Sequence, residues 1–356
     1  MKKQNDFPAW WCRIWIKPIL AVGYLAAVLW AAPNALAADK KILCVFDPSG
    51  KNGDLFKMVE DYKQHAATLG VDFDLKPYTK ESAAIDDLKA KKCHAVAVTG
   101  TRARAVNKGV GTLEAMGAIP DEQHVEKLIK VVGGQKAAQF WTGGATDPYE
   151  VAAVLPGGPV YLFVRDRKIN TVEKLAGKKI ATFDNDEAAK TMVNNIKARV
   201  VSADETSFAS KFNNGEVDAC YAPAVAYGPL ELKKGMGTEG GVARYPIAQF
   251  IYTILIQKSE FPSEFAGKSR GYAVAKFKKI YDGIRAAEKN IPASAWIDIP
   301  EKDKKDYDLM FQKVRVELRD KGIYDKGVLR MMKNGVRCVI DKNRPECVDK
   351  GGESAL

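Results

Sequence analysis

Four short stretches hold the side chains best suited to chemistry: Asp47-Pro48-Ser49-Gly50, Thr99-Gly100-Thr101-Arg102, Phe183-Asp184-Asn185-Asp186 and Tyr221-Ala222-Pro223. Each closes a short apolar run, and the first three lead into helix-like sequence. In an open α/β sheet, ligands bind beyond the carboxyl ends of the strands. These loops offer helix N-termini, the hydroxyls of Ser49 and Thr99, three carboxylates (Asp47, Asp184, Asp186) and the nearby guanidiniums of Arg102 and Arg104. Phe183, Tyr221 and Tyr227 add aromatic faces. Such a set suits a polar small molecule held by several weak contacts. Each residue also has a plainer role. The aspartates can cap helices, and the tyrosines can be core. Two arginines near a helix start are opposed by the helix dipole, which points to an anionic partner.

Catalytic patterns are missing. The chain has no H-E-x-x-H and no glycine-rich dinucleotide fingerprint after a strand, and its one G-x-S-x-G match, Gly267-Lys268-Ser269-Arg270-Gly271, follows no apolar strand-like run. "PSEFAGKS" (262–269) imitates the end of a P-loop, but Pro262 stands where the first glycine belongs. His65, His94 and His124 are the only histidines, and no cysteine pair has C-x-x-C spacing. A zinc site is therefore not expected. The expectation is a binding protein, not an enzyme, with no cofactor and no metal.

The elements that position these loops follow from periodicity. "KILCVF" is a continuous apolar run, fit for a strand buried on both faces. "LFKMVEDYKQHAATLG" has helical spacing and stops at glycine; "VDFDLKPYT" alternates as a strand; "SAAIDDLKAKK" reads as helix and "HAVAVTG" as a second buried strand. The grammar returns with a strand at 158–166, a short helix at 171–177, the strand "KKIATF" and a helix through "DNDEAAKTMVNNIKARV". A short strand "VVSAD", the helix "TSFASKFNNG" and the strand "EVDACYAP" complete it. "IAQFIYTILIQKS" (247–259) is a long returning strand, and 301–322 is an amphipathic helix. Alternating strands and helices predict an α/β fold of two lobes, each a mostly parallel sheet flanked by helices, with further helices at the C-terminus. The expected division is residues 38–155 plus 255–356 for lobe I with the C-terminal helices, and 156–254 for lobe II. Crossings are expected near 151–165 and 245–258.

The first 37 residues fit neither lobe. Lys2, Lys3, Arg13 and Lys17 precede a short apolar stretch that ends in Ala35-Leu36-Ala37. A positive front, an apolar middle and an A-x-A end read as a secretory signal peptide cut near Ala37; a retained membrane anchor is the alternative. Cleavage leaves 319 residues and takes the formal charge from +11 to +8, because four basic residues and Asp6 leave with the segment. The excess charge is spread along the chain, with no nucleic-acid-binding constellation. An exported chain can keep disulfides. Cys338 and Cys347 bracket a short polar loop and form the natural local pair. Cys44, in the first strand, and Cys93, just before its expected neighbour, could form a second. Cys220 is then left as a buried thiol.

"YLFVRDRKINTVEKLAGKKIATF" (161–183) and "FNNGEVDACYAPAVAYGPLELKKG" (212–235) resemble segments of TRAP-type (DctP-like) periplasmic solute-binding proteins. "ILCVFDPSGKNGD", "VTGTRARAVN" and "PAVAYGPLELKKG" more closely resemble the AdeT-type proteins of Acinetobacter and relatives. The resemblance implies a solute-binding protein that takes up a small polar solute between its lobes. It would act as a monomer and deliver the solute to inner-membrane transporter subunits. AdeT-type proteins are also described as components of drug efflux linked to aminoglycoside resistance, which implies the alternative of a partner-binding periplasmic accessory. An exported α/β enzyme is a third reading. One departure matters: DctP-like proteins usually carry an arginine for the ligand carboxylate straight after the G-x-K-I element, and here that residue is Ala181. Either Arg102 or Arg104 takes an anion, or the aspartates take an amine or polyol; the sequence leaves the sign open.

Overall fold

In the computed structural model the described residues are 40–143, 146–348 and 353; the segment read as an export signal lies outside them. The strands are β1 (Lys41–Phe46), β2 (Phe73–Tyr78), β3 (Ala95–Thr99), β4 (Tyr149–Val164), β5 (Lys179–Phe183), β6 (Arg199–Ala203), β7 (Ala219–Pro223), β8 (Gly241–Ala243), β9 (Ala248–Gln257) and β10 (Trp296–Ile297). Eight of them form one continuous order, β2-β1-β3-β9-β4-β7-β5-β6, with β8 and β10 branching from β4.

The order explains the apolar runs. β1 lies between β2 and β3, parallel to both, and its last four residues are buried. β5 lies between β6 and β7, again in parallel. Parallel strands need crossover helices on their faces, so both faces are covered and alternation disappears. Between these two parallel groups run the long strands β9 and β4, antiparallel to each other. β9 borders β3 and β4 borders β7, antiparallel in each case. Two strands thus carry the chain from one group to the other.

β4 is not straight. Its register against β9 shifts between Val151 and Ala153 and again between Pro156 and Gly158. The second shift falls in Pro156-Gly157-Gly158-Pro159. Gly158 has φ +96°, and a Cβ there would lie 2.7 Å from Ile284 Cγ2. Only glycine fits that conformation without strain.

Three local expectations need adjustment. The strand at 158–166 is the second half of β4, which already begins at Tyr149. The short helix at 171–177 is a single 3-10 turn, Glu173–Leu175, closed by Gly177 at φ +75°. The helix drawn through Val200 spans only Glu187–Asn195. Lys197, at φ +57°, turns the chain so that β6 can pair with β5 from Arg199. Sheet pairing overrides helical periodicity there.

Among the described residues, two disulfides staple the fold. Cys44 bonds to Cys93 with Cα atoms 5.9 Å apart, and Cys338 bonds to Cys347 at 5.6 Å. Cys220 is buried and free. The helix Glu301–Asp320 buries Tyr307, Phe311, Val314 and Leu318. From it Arg315 pairs with Glu353 at 2.7 Å, while Arg337 pairs with Glu346 at 2.9 Å and with Glu353 at 2.5 Å. Among the described residues no helix is long and apolar enough to cross a membrane.

Candidate functional site

The carboxyl ends of β1, β3, β5 and β7 open onto one cavity of about 1360 Å³. Parallel strands within a group point the same way, so their following loops collect at one edge. Asp47, Ser49, Thr99, Arg104, Phe183, Asp186 and Tyr221 all line the cavity. The ends of β2 and β6 contribute too, through Glu81 and Glu205. Thr101, Glu114 and Gln249 join them, among apolar side chains that include Phe46, Phe208, Phe250 and Ile284.

Asp47 is committed to backbone. Its carboxylate accepts from Ser49 N at 2.7 Å and Phe56 N at 3.0 Å, tying the loop to the first turn of the helix Asp54–Thr68. Asp186 caps the helix Glu187–Asn195, with Oδ1 accepting from Ala188 N and Ala189 N at 3.2 Å. The same oxygen receives Arg104 Nη1 at 3.3 Å. That ion pair joins the loop after β3 to the loop after β5. Arg104 Nη2 donates to Gly111 O at 3.0 Å, and the guanidinium lies 5.5 Å from the Tyr324 ring centroid.

Thr99 caps the next helix through Arg102 N. Its N–H and hydroxyl donate to the two oxygens of Glu81, at 2.7 and 3.1 Å. Glu81 N in turn donates to Glu205 Oε1 at 3.0 Å. Glu114 accepts from the Thr101 hydroxyl at 2.6 Å and from Ile251 N at 2.8 Å. Burial pushes the Glu81 and Glu114 carboxyls up from 4.5 to about 7; their hydrogen bonds and the neighbouring arginines reverse only part of that. Burial likewise pushes the Tyr221 hydroxyl well up; its oxygen accepts from Phe183 N at 3.4 Å.

Three expected residues stand outside the cavity wall. Arg102 turns its guanidinium between Glu81 and Glu205, at 3.7 and 3.6 Å. Asp184 does not cap the following helix; it is exposed and accepts from the Ser202 hydroxyl at 2.5 Å. Tyr227 packs on Phe163 with ring centroids 6.4 Å apart, in the apolar cluster of the second strand group. The residues that sequence reading missed are chiefly Glu81, Glu114, Glu205 and Gln249. Glu81 and Glu205 follow strands, so the strand-end rule pointed at them. Glu114 lies where no periodic pattern frames it, and Gln249 reads as an ordinary strand residue.

Among the described residues no cluster of three or more histidines, cysteines or acids is placed to hold a metal ion. The arrangement offers hydrogen bonds, charge and apolar contact.

Comparison with known proteins agrees with this geometry. The fold matches a TRAP periplasmic solute-binding protein of Haemophilus influenzae with bound L-gulonate, at TM-score 0.68 and 10% identity over 83% of this chain and 99% of that one. It also matches one from Citrobacter koseri with bound D-glucuronate, at TM-score 0.67 and 13% identity over 83% and 99%. By sequence, the chain is 39% identical to the "Probable solute-binding protein AdeT1" of Acinetobacter baumannii, over 85% of this chain and 98% of that protein. The family model described as "Solute-binding protein AdeT 1/2" matches residues 63–350, so the chain belongs to the AdeT 1/2 family of solute-binding proteins.

Proposed function

We propose that this protein captures a small polar solute in the cavity between its two strand groups and presents it, in the periplasm, to an inner-membrane transporter. The carrying observation is that one cavity is lined from both groups, by Asp47, Thr99 and Arg104 from one and Phe183, Asp186 and Tyr221 from the other. A ligand that touches both favours the closed arrangement by its differential contacts. The moving bodies are residues 38–155 with 255–356, and 156–254. The hinge lies in β4 and β9, where the Pro156–Pro159 kink supplies the bend. The cavity exceeds the ~300–1,000 Å³ of common ligand pockets, and closure removes the surplus. Asp47, Ser49, Thr99, Arg104, Phe183, Asp186 and Tyr221 contact the solute. Export uses the N-terminal segment, cut near Ala37, and the mature protein acts as a monomer. That solved proteins of the same fold hold sugar acids supports a small polar solute here.

The test is native mass spectrometry of protein released gently from the periplasm, followed by denaturation to free what it carries. A stoichiometric small molecule is expected. A bare mass, together with no thermal shift on adding sugars, acids or amines, removes solute capture from the account.

A further inference from the structure

The polar side chains of the cavity are dominated by acceptors. One arginine, Arg104, lines it, a second, Arg102, stands outside its wall, and both face carboxyl groups. Arg102 lies between Glu81 and Glu205. Arg104 bonds Asp186 and stands in the field of Glu114. Each arginine therefore faces two carboxyl groups, one more than it can neutralise once both are ionised. The two terminal nitrogens of Arg104 each already donate one N–H, to Asp186 and Gly111 O, so the guanidinium does not present a fully open fork to a bidentate carboxylate.

Gln249 supplies an independent sign. It lines the cavity and is only 2% exposed. Its Nε2 donates to Ile119 O at 3.0 Å, which fixes the amide orientation, because the carbonyl needs a donor. Oε1, on the other arm of the amide, has no hydrogen-bond partner among the described residues. A buried acceptor left without a donor is costly, about 1–3 kcal/mol. Arg104 Nε is also without a hydrogen-bond partner. It is a single donor, and a hydroxyl or carbonyl oxygen would satisfy it.

We infer that the solute is an organic cation: an amine whose N–H groups meet Glu81, Glu114 and Gln249 Oε1, and whose hydrocarbon part lies against Phe46, Phe183 and Phe208. This rests on the cavity being the solute site. Five lysines, Lys51, Lys57, Lys63, Lys276 and Lys279, also line the cavity. Lys57, Lys63 and Lys279 pair with Asp54, Asp72 and Asp61, and Lys51 and Lys276 are exposed, where solvent screens them. The carboxyls of Glu81 and Glu114 are raised chiefly by burial.

The test uses ligands of one skeleton and three charges, titrated by calorimetry into the intact mature protein stripped of bound solute. One set is 1,4-diaminobutane, 1,4-butanediol and succinate; the other is phenethylamine, 2-phenylethanol and phenylacetate. In at least one set the amine is expected to bind about tenfold or more tightly than its neutral twin, the worth of one charge-assisted hydrogen bond, with the acid weakest. Glu114→Gln should erase most of that preference while circular dichroism stays unchanged. In parallel, native mass spectrometry identifies whatever the periplasmic protein carries. A released molecule with an amine or quaternary nitrogen supports the inference. Carboxylates binding more tightly than amines, or a released anion, overturn it while leaving solute capture standing. No carried molecule and no binding in either set overturn both.

Discussion

Glu81 and Glu114 should make the protein lose stability as pH rises toward neutrality. Around Glu81 stand Thr99, Arg102, Glu205 and Tyr252; around Glu114 stand Thr101, Ile251 N, Arg104, Asp186 and Tyr324. Both carboxyls rise from 4.5 to about 7 in the fold, burial being the largest cause. The folded state therefore holds these protons more tightly than the unfolded chain. Below about pH 4.5 both states are protonated and there is no penalty. Between 4.5 and 7 the unfolded chain ionises first, and each group costs about 1.4 kcal/mol per pH unit. Above 7 the cost levels off near ~3 kcal/mol per group. The assay is urea unfolding at pH 5, 6, 7 and 8 for the wild type, Glu81→Gln, Glu114→Gln and the double variant. Other titrating groups, such as His65, largely cancel in the difference between variant and wild type. Relative to wild type, each Gln variant should gain stability as pH rises, by roughly 2–3 kcal/mol between pH 5 and 8. A flat difference across that range, or a loss for the variants with rising pH, would refute the reasoning.

Two further outcomes follow from the fold. Gly158→Ala places a side chain at φ +96° and a Cβ 2.7 Å from Ile284, so it should cost about 1–3 kcal/mol of stability in urea; a change below about 0.5 kcal/mol would remove strain at the kink from the account. The disulfides should differ in worth, because Cys44–Cys93 spans 49 residues and Cys338–Cys347 only 9. On loop-closure entropy they contribute about 4 and 3 kcal/mol respectively, and alanine replacement of each pair, compared by urea midpoint, should reproduce that order; the reverse order shows that native-state packing outweighs the chain-entropy term.

The parallel groups were legible because a strand buried on both faces must be apolar throughout, and KILCVF and KKIATF are nearly so. The strand-end rule then pointed to Asp47, Thr99, Phe183 and Asp186, and the cavity collects all four. The choice between Arg102 and Arg104 was not legible. Residues two apart on a helix do not share a face, so one guanidinium reaches into the cavity wall and the other turns to Glu81 and Glu205. Nor could sequence separate the roles of Asp184 and Asp186, since which aspartate caps is fixed by where β5 ends and the next helix begins.

Ala181 brings these observations together. It sits mid-β5, buried in the second apolar cluster and away from the cavity lining. With alanine there, β5 supplies no guanidinium, and the arginine that lines the cavity comes from the segment after β3. That segment supplies Arg102 and Arg104, and the surrounding loops answer with Glu81, Glu205, Glu114 and Asp186. Were the arginines meant for an anion, four buried or nearly buried carboxylates around them would be an expensive way to weaken it, because each ionised group must be desolvated as well. Held against these acids they fix geometry instead: Arg102 pairs with Glu81 and Glu205 from different loops, and Arg104 pairs with Asp186 in the field of Glu114, the arrangement that the proposed cationic solute calls for.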